Sequence, residues 1–167
     1  MVSKVVIVTD SIACLTREFV EQYDIKILPL NFYFGDKVYR DWVDITPTEV
    51  YELFLKDPEA FKTSPASPGF YLEAYREASN KAKNILCITL SSKMSTGFDM
   101  ARAAKEQAKS EFPDTSIEVL DSQTVTAAEG FIALAAARAA AVGNNLDDVV
   151  NVAKEIKERV SFLLLLD

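Results

Sequence analysis

A chain of 167 residues is long enough to bury one sizeable core, and its 49% hydrophobic and 26% charged residues are the balance of an ordinary soluble domain. Against 18 Lys and Arg stand 25 Asp and Glu, and a net charge of −7 excludes broad, sequence-independent binding to nucleic acid, which needs clustered positive charge. With no histidine, and with Cys14 and Cys87 far apart, a zinc site or thioredoxin-type motif is excluded and a reduced, cytoplasmic compartment is the natural reading.

Val5–Thr9 is a short unbroken apolar run, the pattern of a strand covered on both faces. Its flank is too weakly basic, and the run too short, for a signal peptide. Asp10-Ser11 follows, and Thr16 is placed to cap a helix through Tyr23, with Glu18 in the first turn. Lys26–Phe34 alternates and is β-rich, and Gly35-Asp36 reads as a tight turn into a strand at Lys37–Arg40. Thr46-Pro47-Thr48-Glu49 opens a helix expected to reach Leu55, with Asp57-Pro58 ending it.

A loop at Thr63–Gly69 leads into a helix near Phe70–Ala82, and then a strand at Ile85–Leu90. A second loop, Ser91–Gly97, opens the helix Phe98–Glu111, which Phe112-Pro113-Asp114 breaks. Ser116–Leu120 is another buried-type strand, and Asp121-Ser122 repeats the acid–hydroxyl ending of the first. An Ala-rich helix near Thr124–Val142 closes at Gly143-Asn144-Asn145. Its apolar part, Phe131–Val142, is too short to span a bilayer and carries Arg138, so no stable membrane insertion is expected. Asp147–Arg159 is a last amphipathic helix, and Phe162–Leu166 a final apolar strand. So apolar a strand beside the last residue needs covering neighbours, supplied by further chain or by a partner.

This alternation predicts an α/β fold, a mainly parallel open sheet with helices on both faces. Ligands of such sheets bind beyond the carboxyl ends of the strands, where strand order reverses. Asp10-Ser11, Ser91–Gly97 and Asp121-Ser122 all fall there. The two hydroxyl-rich loops combine side-chain O–H groups with the free N–H groups of a helix start, which favours phosphate or carboxylate without a positive side chain. Taken alone, such hydroxyls are more often plain helix caps.

Several segments together resemble the DegV family: Val5-Val6-Ile7-Val8-Thr9-Asp10-Ser11, Ile27-Leu28-Pro29-Leu30, Tyr39-Arg40-Asp41 with Val43-Asp44-Ile45-Thr46-Pro47, Thr63-Ser64 with Ser67-Pro68-Gly69, and Ser91-Ser92-Lys93-Met94-Ser95. Each is weak alone; in this order they are specific. The resemblance implies binding of a long-chain fatty acid and, in many bacteria, the role of acyl-carrying subunit of a fatty acid kinase. It implies two α/β domains with the fatty acid between them, of which residues 1–167 correspond to the N-terminal one and the second is missing. The carboxylate is expected on Thr63 and Ser95, and the acyl chain in an apolar tunnel. The family usually continues after the serine with Gly then Thr, whereas Thr96-Gly97 displaces the hydroxyl by one position.

Further candidates for the head group are Ser64, Ser92 and Thr96. Asp10 and Ser11 serve either the head group or the turn. Phe32, Phe34, Phe70, Met94 and Phe98 supply either tunnel lining or ordinary core. Arg40, Asp41 and Asp44 read as a salt-bridged surface loop, and Cys14 and Cys87 as small buried hydrophobes. No cofactor, metal or catalytic residue is implied. With 5 glycines and neither a Gly-x-Gly-x-x-Gly nor a Walker pattern, the chain is expected to need a separate ATP-dependent kinase as partner. The alternative is an enzyme acting on a small phosphorylated or carboxylated substrate at the same loops, although no Ser or Cys sits beside an evident base.

Overall fold

The computed structural model describes residues 5–163 and 165. In chain order the elements are β1 (Val5–Asp10), α1 (Arg17–Tyr23), β2 (Lys26–Leu28), β3 (Asn31–Phe34), β4 (Lys37–Arg40), α2 (Pro47–Lys56), β5 (Phe61–Ser64), α3 (Pro68–Ser79), β6 (Asn84–Thr89), α4 (Gly97–Glu111), β7 (Ser116–Asp121), α5 (Ala127–Ala141) and α6 (Leu146–Lys157). Short 3-10 turns stand at Ser11–Ala13 and Pro58–Ala60. Local chemistry sets many of the boundaries. Thr46 and Glu49 form a reciprocal capping box at the start of α2, and Thr16 caps α1 by accepting from the Phe19 N–H. Gly35, at φ 57°, makes the β3–β4 turn that a side chain would strain.

Four strands form a wholly parallel sheet in the order β2-β1-β6-β7, as the strand–helix alternation predicts. Period-two alternation divides β1 between two cores. Val5 and Ile7 pack with α5 and α6 on one face, and Val6 and Val8 with α3 and α4 on the other. Alanines allow the helices to lie close: Ala101, Ala104 and Ala108 on α4, and Ala133, Ala136, Ala137 and Ala140 on α5. A Cβ at Gly130 would stand 2.2 Å from the Ala13 carbonyl oxygen, so α5 sits flush on the 3-10 turn that follows β1. No helix among the described residues is long and apolar enough to cross a membrane.

A second sheet, three-stranded and antiparallel in the order β4-β3-β5, stands beside the parallel one, and the expected tight turn at Gly35-Asp36 joins β3 to β4. The run Lys26–Phe34 is not one strand. It splits at Pro29-Leu30, so β2 joins the large sheet and β3 the small one, because proline has no N–H for a ladder and the Leu30 N–H is taken by the Ser11 hydroxyl (3.1 Å). Thr63 and Ser64, expected in a loop, are the last residues of β5. The Ala-rich helix starts at Ala127 rather than Thr124, since Gln123 and Thr126 take φ of 56° and 59°. Phe162, Leu163 and Leu165 are exposed and irregular rather than a strand, while Leu164 and Leu166 lie outside the described residues. Cys87 is buried as expected, but Cys14 is exposed, at φ 50° where the 3-10 turn ends.

Candidate functional site

From β1 the chain goes to β2 on one side and later to β6 on the other, so the crevice beyond the ends of β1 and β6 is where the loops part. A cleft of about 560 Å³ opens there, within the roughly 300–1,000 Å³ usual for small-molecule sites. Its floor is apolar, with Ile12 after β1, Leu30 after β2, Leu90 after β6 and Val125 before α5. One wall is the β6–α4 loop, Ser92–Thr96; the other is the end of β5 with Thr63, Ser64 and Pro65.

The β6–α4 wall is a tight turn anchored below. The Ser91 carbonyl accepts from the N–H groups of Met94 and Ser95, and Ser91 itself is tied to the β7–α5 connection through the Thr124 carbonyl (2.8 Å). Ser95 Oγ accepts from the Gly97 N–H (3.1 Å), which leaves its own O–H free to donate. Thr96 is the N-cap of α4 yet makes no side-chain cap hydrogen bond, so its hydroxyl is uncommitted. The N-terminus of this 15-residue helix adds partial positive charge. Lys93 and Asp99 bring one charge of each sign to the rim.

Across the cleft, β5 pairs with β3 and places Thr63 opposite Phe32 and Ser64 opposite Asn31. The Thr63 hydroxyl has no hydrogen bond among the described residues. Thr63 and Ser95, expected together on a carboxylate, both line this cleft. Ser64 and Ser92 border it too, but both are engaged: Ser64 Oγ with Asn31 Nδ2 (3.4 Å) and the Tyr33 hydroxyl (3.3 Å), Ser92 Oγ donating to Asp121 Oδ2 (2.6 Å).

Asp10 and Ser11 lie beneath the cleft and serve its frame. Asp10 is 2% exposed; its Oδ1 accepts from the Ile12 N–H (3.0 Å) and its Oδ2 from the Leu90 N–H (2.9 Å), joining both sides of the crevice. Burial pushes its pKa up to about 6, against the opposing pull of those two amide donors. The Ser11 hydroxyl bonds the Asp41 carboxylate while accepting from Leu30. Asp41 is therefore buried, unlike its neighbours Arg40 and Asp44, which form the expected surface ion pair (3.0 Å). Glu129, fully buried in the first turn of α5, meets the Asp10 carboxyl group and accepts from the Thr9 hydroxyl (3.2 Å). Its sequence setting, an acid near a helix start, is that of an exposed residue and gives no sign of burial.

The aromatic candidates separate. Met94, 56% exposed, is the member of that group that lines the cleft. Phe70 lines a neighbouring groove of about 290 Å³ with Arg40 and Val43, beyond the Asn31–Ser64 hydrogen bond. Phe32 packs on Phe61, ring centroids 5.4 Å apart, as core of the small sheet. Phe34 pairs with Phe61 at the far end of that sheet, and Phe98 lies under the Arg102 guanidinium.

Residues 4–167 match the DegV family. A DegV domain-containing protein of Caldanaerobacter subterraneus is 30% identical over 164 residues, which cover 98% of this chain and 57% of the relative. The solved structure of DegV, a fatty acid binding protein from Bacillus subtilis, is 29% identical with a TM-score of 0.85, over 93% of this chain and 54% of that one. A stearic-acid-binding protein from Eubacterium ventriosum is 30% identical with a TM-score of 0.81, over 89% of this chain and 51% of that one. The chain thus spans about half the length of these relatives.

Proposed function

The chain belongs to the DegV family, and from that premise we propose that its cleft binds a long-chain fatty acid, with the carboxylate held between the hydroxyls of Thr63 and Ser95. The observation that carries this reading is the meeting of two uncommitted hydroxyl donors across one cleft whose floor is apolar. Solved relatives of about 30% identity that are described as fatty-acid-binding add support. Thr96, with a free hydroxyl on the same rim, is the third donor; Ser64 and Ser92 shape the walls.

Energetically the two ends of the ligand do different work. Burial of the tail is worth about 0.8 kcal/mol per CH₂, from which association and chain ordering subtract a large part. Each hydrogen bond to the carboxylate nets roughly 1.5–3 kcal/mol. The tail therefore sets affinity and the hydroxyls set orientation. Neutral donors also leave the carboxylate less tightly paired than a bidentate Arg would, which suits a carrier in the cytoplasm presenting it to a separate ATP-dependent kinase.

Native mass spectrometry of protein purified gently from a bacterial host is expected to show a co-purified fatty acid. Replacing Thr63 and Ser95 together by Ala is expected to weaken fatty-acid binding by about tenfold or more, and binding of the matching fatty alcohol much less. Equal losses for acid and alcohol would remove the head-group assignment.

A further inference from the structure

We infer that Asp10 and Glu129 act as one unit, a carboxylic acid hydrogen-bonded to a carboxylate, which positions the floor of the cleft and slackens when the shared proton is lost. The inference concerns the frame of the cleft and holds whatever ligand occupies it.

The two side chains come from elements far apart in sequence, the end of β1 and the first turn of α5, yet both are buried at one place, where Thr9, the neighbour of Asp10, donates to Glu129. A hydrogen bond between two carboxyl groups requires a proton. Its location follows from the other partners. Both oxygens of Asp10 already accept backbone N–H groups, from Ile12 and Leu90, as a carboxylate does. Glu129 uses Oε1 to accept from Thr9, while Oε2 finds no donor among the described residues. A buried carboxylate oxygen with no donor is costly, whereas a protonated one has the Asp10 carboxylate to donate to. Glu129 is thus the acid and Asp10 the base.

The surroundings oppose loss of that proton. Asp41, beyond β4, and Asp121, at the end of β7, face the pair and are both acidic; Cys14, Cys87 and Tyr71 complete the titratable neighbours. No Lys or Arg forms an ion pair with either carboxyl among the described residues. Two buried acids without a cation cannot both ionise cheaply. Burial accordingly drives Glu129 well above the usual carboxylate range. Gly130 presses α5 against the Ala13 carbonyl at this point, so a second charge there could be relieved only by parting α5 from the turn after β1. Ile12 and Leu90, the residues that Asp10 holds, are floor residues of the cleft.

The test needs no ligand. In ¹³C-labelled protein the Glu129 carboxyl resonance is expected in its protonated position at neutral pH; an ionised position there would overturn the inference. The exchange protection of the Leu90 amide is expected to fall about tenfold across the pH step in which Glu129 ionises. In Glu129→Gln it is expected to stay level, because the amide keeps a donor toward Asp10 and an acceptor for Thr9. Matching profiles in the two proteins would overturn the inference, and should the variant fail to fold, the carboxyl resonance of the unsubstituted protein decides alone.

Discussion

The two walls of the cleft differ in what stands behind them. The β6–α4 wall grows from a strand in which Ile85 through Thr89 are each 0% exposed, and its turn is bonded to the next connection through Ser91. The β5 wall belongs to a small sheet whose last strand is half exposed along its length, flanked by α2, a helix with no buried residue. Phe32, Phe54 and Phe61 form a cluster of their own there, separate from the two cores of the large sheet. One wall is part of the fold, and the other is an attachment. Stability and binding should therefore separate along the same line: changes behind the first wall act on folding, and changes on the second act on the ligand.

Several substitutions would sharpen or break that contrast. The largest effect is expected from Asp10→Ala, which strands the buried N–H groups of Ile12 and Leu90 at about 1–3 kcal/mol each, read as a lowered midpoint in chemical denaturation. A stability change near zero would mean that the floor is held by something else. Gly130→Ala follows, with overpacking of about 1–3 kcal/mol, since a Cβ would stand 2.2 Å from a backbone oxygen.

A pH effect on the order of 1–3 kcal/mol comes next. Asp10 is raised from 3.8 to about 6, so the folded state binds its proton more tightly than the unfolded chain does. That contribution is whole below about pH 4 and is lost as pH rises through about 6. Denaturation midpoints across this window should fall with rising pH, and less so in Asp10→Asn. On the attached wall, Thr46→Ala removes the α2 cap for about 1 kcal/mol, and its exchange signature should stay within α2. Smallest of all, Thr63→Ala is expected to leave stability within about 0.5 kcal/mol while weakening carboxylate binding. A large stability loss at Thr63 would show that the second wall is structural after all.

The same contrast explains what could be read from the sequence. The parallel sheet is legible because Val5–Val8 and Ile85–Ile88 are unbroken apolar runs, and two helix starts because Thr16 and Thr46 carry their caps in their own side chains. Strand β5 is not legible, for Lys62-Thr63-Ser64 at a sheet edge has no apolar alternation to betray it. The division at Pro29 hides inside a run that looks continuous. The convergence of Thr63 and Ser95 on one cleft came from motif resemblance together with the strand-end rule. Glu129 and Asp41 gave no local signal, because burial of an acid is a property of the elements packed around it.

The bend at Pro29-Leu30 carries one more consequence. Leu30 donates its N–H to Ser11 and lends its carbonyl to the Asp41 N–H (2.9 Å), while Ser11 also bonds the Asp41 side chain. This triangle works as a latch between the small sheet and the turn after β1. Swinging the Thr63 wall outward would strain all three contacts, so widening the cleft by a simple hinge at the proline is disfavoured.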